Sequence, residues 1–380
     1  MKSASCILKA LQTVETPAVV VERAVLDRNL ARAAEIARKA SIALRPHIKT
    51  HKSLKIADLQ INGGAQGLTV AKPSEAQVFL AAGFADITVA YPLLDARKIV
   101  RLVRVSASTG ARLRLVADSV PGIAALAASA ADTGRVLEVM LKVDVGLKRC
   151  GVDPAGEEAL RLALLIKNSP SLAFAGLLSH AGHAYSSEGA DGVRAIAQSE
   201  RVAMTNLADM LRGEDIDVPT VSVGSTPTVW LGERFDGLTE IRPGNYAFMD
   251  LTQTSLGVAT RSDIALSVIA SVVSVNDRFA IVDAGSKVLS SDRGPHGSAR
   301  LAGFGVATRL EDPSREMNVS SLSEEHGFIA HEGRPPALGE HVRIWPNHAC
   351  PVANLTKNLI VLDPDGEVEL WPIDARACVL

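Results

Sequence analysis

Between about Ala18 and Arg242, short apolar runs alternate with longer stretches whose apolar residues recur at helical spacing, the rhythm of a parallel α/β fold. Eight of the short runs read as strands: Ala43–Lys49, Gly67–Ala71, Asp86–Ala90, Arg112–Ala117, Leu137–Asp144, Leu172–His180, Thr220–Gly224 and Leu238–Arg242. Between them Leu26–Ala40, Pro73–Ala82, Val120–Ala131, Glu157–Leu165 and Glu188–Leu211 read as helices, several opening on Pro or an acidic residue as first turns prefer. Eight strand–helix units are the number that closes a barrel, so the pattern predicts a (β/α)8 barrel of the TIM type, with an open doubly wound sheet as the alternative. After Asp250 the character becomes nearly all strand, at Ile264–Val273, Arg278–Asp283, Glu340–Trp345 and Leu359–Leu362. A barrel over residues 16–254 and a smaller C-terminal β domain over 255–380 follow, with residues 1–15 a candidate addition to the second.

Two domains also suit the length, since 380 residues exceed the roughly 250–300 at which a single core stops growing. Hydrophobic residues make up 47% and aromatics only 4%, ample for a core but poor in the flat rings on which single-stranded nucleic acids stack. With 40 basic and 42 acidic residues the net charge is -2, too small a field to hold a polyanion or an anionic membrane surface. The expected partner is a small molecule, and neither nucleic acid nor membrane. Cys6, Cys150, Cys350 and Cys378 lie far apart with no CxxC pair, against both a disulfide framework and a zinc ribbon. The first ten residues are too short and too polar for a secretory leader, and no apolar run is long enough to cross a bilayer, so a cytoplasmic protein is expected.

In such a barrel, polar residues that end a strand gather at one mouth. The first strand runs into Arg45-Pro46-His47-Ile48-Lys49-Thr50-His51-Lys52, and by period two Arg45, His47 and Lys49 share a face. A lysine aimed into the mouth is partly desolvated and becomes a nucleophilic amine, whereas a basic run on the outside is only a solvated charge cluster. The seventh and eighth strands end in Gly224-Ser225-Thr226-Pro227-Thr228 and Arg242-Pro243-Gly244-Asn245-Tyr246, where barrels commonly bind phosphate through backbone N–H groups and hydroxyls. The fifth strand leads to Arg149, a surface ion-pair residue or a partner for a ring nitrogen. The sixth ends in Ser179-His180-Ala181-Gly182-His183, whose imidazoles read as bases, orienting groups or merely satisfied polar residues. In the tail, His348 and Cys350 are two apart, and on a strand they would face one side and could touch one ion. Two protein ligands leave coordination positions open, as a catalytic metal requires.

Taken together, RPHIKTHK, VDVGLKRCGV, VSVGSTPT, EIRPGNYAFMD, EEHG and PNHAC resemble the D-threonine aldolase and D-serine dehydratase group, including D-3-hydroxyaspartate dehydratase-like members, of alanine racemase-like fold-type III enzymes. The likeness runs from Thr16-Pro17-Ala18 to Trp371-Pro372. It implies pyridoxal 5'-phosphate held covalently by Lys49, with Arg149 against the ring nitrogen, Gly224, Ser225, Thr226 and Tyr246 around the phosphate, and His180 beside the cofactor. It implies a divalent metal on His348 and Cys350, zinc ahead of manganese because a thiolate is a soft ligand, and a homodimer. Members with GSTPT, SHAG and HxC resemble dehydratases acting on D-serine or D-3-hydroxyaspartate, which release a 2-oxo acid and ammonia. The aldolase alternative cleaves to glycine and an aldehyde, with His180 or His183 as base. An amino-acid racemase and a non-catalytic cofactor carrier are the remoter alternatives.

Overall fold

The computed structural model describes residues 7, 9, 14–294 and 300–380; the rest of the expected 1–15 segment, Cys6 included, lies outside the described residues. Contacts divide the chain into two compact units. One takes Arg32–Lys49, Ile56–Gly244 and Cys378–Leu380, the other Met1–Ala31, Thr50–Lys55 and Asn245–Ala377. Along the chain the units interleave, where a single division after residue 254 was expected.

Following β1 (Ala18–Glu22) along the chain, all eight expected strands are present. They are β2 (Ala43–Leu44), β3 (Leu68–Val70), β4 (Asp86–Val89), β5 (Arg112–Ala117), β6 (Leu137–Lys142), β7 (Leu172–Leu178), β8 (Val221–Val223) and β9 (Glu240–Ile241). All pairings among them are parallel, in the order β2-β9-β8-β7-β6-β5-β4-β3. The ring closes between the outer members: His47 bridges Thr69, the Gln66 N–H donates to the Leu44 carbonyl at 2.9 Å, and the Thr69 N–H donates to the Pro46 carbonyl at 2.8 Å. Long helices cover the strands, among them Arg23–Ala40, Ala96–Thr109, Val120–Thr133 and Gly189–Gly213. No helix among the described residues is long and apolar enough to cross a membrane.

β2 is shorter than the expected Ala43–Lys49. Pro46 has no N–H to give the ladder, and the chain leaves the strand for a 3-10 turn at Ile48–Thr50, which carries Lys49. Arg45, expected on the Lys49 face, is spent inside the barrel. Its guanidinium bonds Glu240 at 2.6 Å and Asp86 at 2.8 Å, while Arg114 bonds Glu240 at 2.9 Å and the Ser222 hydroxyl donates to Glu240 at 2.7 Å. Room for Arg45 depends on Gly67, where a Cβ would fall 2.6 Å from the Asp86 carbonyl oxygen and onto the guanidinium itself.

Removing one partner of such a buried network strands the others. Glu240→Ala is therefore expected to lower the unfolding free energy by about 3–5 kcal/mol, read by chemical denaturation. Burial alone would raise the Glu240 pKa from 4.5, but Arg45 and Arg114 hold it at about 2. The stabilisation from this depressed carboxylate is complete above its unfolded value and is lost as pH falls towards 2, so the deficit of the variant should shrink across that window.

The other unit is antiparallel. Its strands are β10 (Leu266–Val275), β11 (Phe279–Val282), β12 (Gly305–Arg309), β13 (Met317–Leu322), β14 (Gly327–Ala330), β15 (His341–Pro346), β16 (Asn358–Leu362) and β17 (Val368–Pro372). β10, β11, β14, β13, β12 and β15 close on themselves as a small barrel. A bulge between Val272 and Ser274 lets one edge of β10 serve two neighbours, β1 through Leu266–Ile269 and β11 through Val272–Val275. β1 also pairs in parallel with β16, and Ile7 packs with Ala18, Val20, Ile269 and Leu362 in the same core.

Candidate active site

The C-terminal ends of the barrel strands bring Lys49 together with His47, Lys142, Arg149, His180 and Arg242. His180 feels all four cations, and His47 feels Lys49, Arg242 and Lys142. Burial first, then Lys49, holds both His47 and His180 well below the ordinary histidine value, so both rings are neutral. The Lys49 N–H donates to His47 Nδ1 at 3.4 Å. His180 Nδ1 lies 3.3 Å from the Gly224 carbonyl oxygen, which can only accept, so Nδ1 carries the proton. His183 sits on the 3-10 turn Gly182–Ser186 against Gly146; its Nδ1 is buried without a hydrogen-bond partner among the described residues. Arg149 is exposed on the loop after β6.

Beneath this cluster Arg242, 3% exposed, donates from Nε to the Ser222 hydroxyl at 2.7 Å and from Nη2 to the Ser179 carbonyl, so it is a floor to the mouth. Glu200, brought in by the helix Gly189–Gly213, accepts from the Ser179 hydroxyl at 2.6 Å and from the Gly224 N–H at 3.3 Å. Gly224 has φ of 108°, and a Cβ there would lie 2.8 Å from Val229, so glycine is required where the chain turns into the helix Thr226–Leu231. Ser225 caps that helix, its N–H and hydroxyl engaged by Thr228 at 2.9 and 3.0 Å, and Thr226 is fully buried.

Tyr246, His348 and Cys350 belong to the antiparallel unit. Tyr246 is fully buried on the turn Asn245–Ala247. His348 and Cys350 are not on a strand as expected: β15 stops at Pro346, His348 caps the helix Ala349–Leu355, and Cys350 lies in its first turn. The turn brings them together all the same, with imidazole and thiol in direct contact. Asp292 accepts from His348 Nδ1 at 2.8 Å, which orients the ring, and the imidazole also hydrogen-bonds the Cys350 sulfur. The thiol lies 3.3 Å from the Thr50 hydroxyl and 3.7 Å from Asn245 Nδ2, and the buried Asp250 ties Asn245 to the Ala349 N–H. Burial would depress His348, but the Cys350 sulfur and Asp292 raise it to about 10, while His348 in turn lowers the thiol. A cysteine sulfur and an imidazole are a donor pair suited to a borderline divalent metal. Among the described residues no three His, Cys, Asp or Glu side chains gather where they could hold a metal ion, so these two ligands would be the whole protein contribution.

The sequence reading passed over Lys142, Arg242, Glu200 and Asp292. Each takes its meaning from a neighbour distant along the chain. Only Lys142 and Arg242, charged residues ending apolar runs, left a local trace.

The sequence profile for the N-terminal domain of alanine racemase matches residues 21–252, and that for the serine dehydratase domain matches residues 265–362. D-threo-3-hydroxyaspartate dehydratase of Delftia sp. (strain HT23) is 36% identical over 377 residues, covering 95% of this chain and 97% of that protein. D-threonine aldolase of Arthrobacter sp. is 32% identical over 378 residues, covering 96% and 94%. The solved structure of the Delftia dehydratase matches with a TM-score of 0.89 at 33% identity, covering 95% of this chain and 97% of its own. A cysteine-to-alanine variant of that protein, solved in the metal-free form, matches with a TM-score of 0.88 at the same identity and coverage.

Proposed function

Because the chain belongs to the alanine racemase-like family whose second domain is of the serine dehydratase type, we propose that it is a lyase dependent on pyridoxal 5'-phosphate and a divalent metal, which dehydrates and deaminates a small D-3-hydroxy amino acid to a 2-oxo acid and ammonia. The observation that carries the reading is the paired chemistry: a lysine among neutral imidazoles and cations at a barrel mouth, and a His–Cys donor pair in the second unit. Kinship with a dehydratase whose cysteine variant is metal-free supports the second half.

In this reading Lys49 holds the cofactor, and Gly224, Ser225, Thr226 and Tyr246 surround its phosphate. Arg149 faces the ring nitrogen and keeps it unprotonated. The cationic cluster fits an anionic group of this kind, and the glycine at 224 keeps the loop backbone free of a side chain. When bound, the cofactor supplies a conjugated ring that takes up the electrons released at Cα. Lys49 would hold the cofactor and, as a free amine, would take the proton from Cα. His180 and His47 stay neutral at physiological pH, because burial and the surrounding cations disfavour their charged forms. His348 and Cys350 hold the metal, with Asp292 keeping the imidazole turned towards it. Zinc suits this pair better than manganese. A metal there supplies Lewis acidity to the departing hydroxide. A homodimer in the cytoplasm completes the proposal.

The likeness to an aldolase supports a second reading, in which His180 or His183 removes the proton of the 3-hydroxyl and the Cα–Cβ bond breaks. The products separate the two. Incubation with D-serine or D-threo-3-hydroxyaspartate is expected to give ammonia with pyruvate or oxaloacetate; glycine and an aldehyde would establish the aldolase instead.

A further inference from the structure

Lys142 ends β6 only 3% exposed, yet its amine makes no hydrogen bond or ion pair among the described residues. Buried ammonium groups without partners are rare because desolvation is so costly. Of the nearest groups, Arg242 and Arg149 oppose its charged form, while Cys150 and Glu200 favour it, Glu200 being already engaged by the Ser179 hydroxyl and the Gly224 N–H. Burial, then Arg242, lowers the Lys142 pKa to about 7, so an arriving anion can draw a proton onto the amine. The position is thus prepared for negative charge brought from outside the chain.

Two anions are accounted for by the proposed function, the cofactor phosphate and the substrate α-carboxylate. The loop assigned to phosphate follows β8, two strands away from β6 in the barrel and so roughly 10 Å along the sheet. Lys142 has no part in that assignment: Lys49 is taken by the cofactor, Arg149 by its ring nitrogen, and Arg242 by Ser222 and Ser179. We propose that Lys142 is a specificity-determining residue that binds the distal carboxylate of an acidic D-3-hydroxy amino acid, selecting dicarboxylic substrates over D-serine and D-threonine. This rests on the cofactor reading above.

D-aspartate and D-alanine lack the 3-hydroxyl and so bind without elimination, which lets the visible absorbance of the holoenzyme report affinity with no turnover. Wild type is expected to bind D-aspartate more tightly than D-alanine. Lys142→Met and Lys142→Gln should cut that preference by about 100-fold, and the kcat/KM ratio of D-threo-3-hydroxyaspartate to D-serine by a similar factor, with the cofactor band showing that the variants fold. Equal wild-type affinities, or an unchanged preference in both variants, would overturn the proposal. Equal losses for both amino acids would assign Lys142 to the α-carboxylate and overturn it too, as would a carbamate on Lys142 seen with 13C-bicarbonate, because the side chain would then be anionic. A wild-type spectrum indifferent to every D-amino acid would instead remove the cofactor reading, and the proposal with it.

Discussion

Lys49→Ala is expected to yield a protein that no longer holds its cofactor covalently and whose kcat is lower by about 1000-fold or more, since the same amine anchors the cofactor and moves the α-proton. The neighbouring lysines are poor substitutes. Lys55 is ion-paired to Glu369 at 3.1 Å and lies over the Trp371 ring, and Lys52 is buried in the other unit. Borohydride reduction of wild type followed by peptide mapping should place the reduced cofactor on Lys49, and a label on Lys52 or Lys55 would overturn the assignment.

The second large effect concerns the metal pair. Cys350→Ala should keep the visible colour of the cofactor but lose bound metal on dialysis, and turnover should fall about 1000-fold, because hydroxide leaves poorly without several kcal/mol of Lewis-acid stabilisation. Colour and metal content separate the two half-sites, since Lys49 and Cys350 belong to different units. A metal binds only where His348 and Cys350 have given up their protons, and the His348 imidazole is raised to about 10, so the cation should bind more weakly as pH falls. A variant that keeps colour, metal and near-full activity would make the His–Cys pair structural.

The barrel was legible in the sequence because buried parallel strands are short apolar runs and the helices between them keep a 3.6-residue period. Arg112–Ala117 coincides with its strand, and Val120–Ala131 falls within its helix Val120–Thr133. The tail was less legible: β12, β13 and β14 are short, and the alternation of Met317–Leu322 is broken by a bulge between Val319 and Ser321. The i, i+2 logic applied to His348 and Cys350 expected a shared strand face, whereas a helix N-terminus brings the two side chains into contact. Lys142 escaped notice because a lysine ending an apolar run looks like any strand terminus until burial is known. Asp292 escaped because the residue it orients lies fifty-six positions further along.

β1 has a consequence for the order in which the molecule can be made. Its hydrogen bonds go to β10, where Ala18 meets Ile269, and to β16, where Val20 meets Ile360. Each strand of the parallel barrel from β3 to β8, by contrast, pairs with its immediate predecessor or successor in the chain. During synthesis the barrel can therefore grow strand by strand, whereas β1 stays unpaired until β10 has been made and keeps one open edge until β16 follows. Until then its Val19-Val20-Val21 run is an apolar segment open to wrong partners, and chaperone demand should concentrate on nascent chains that end before β16.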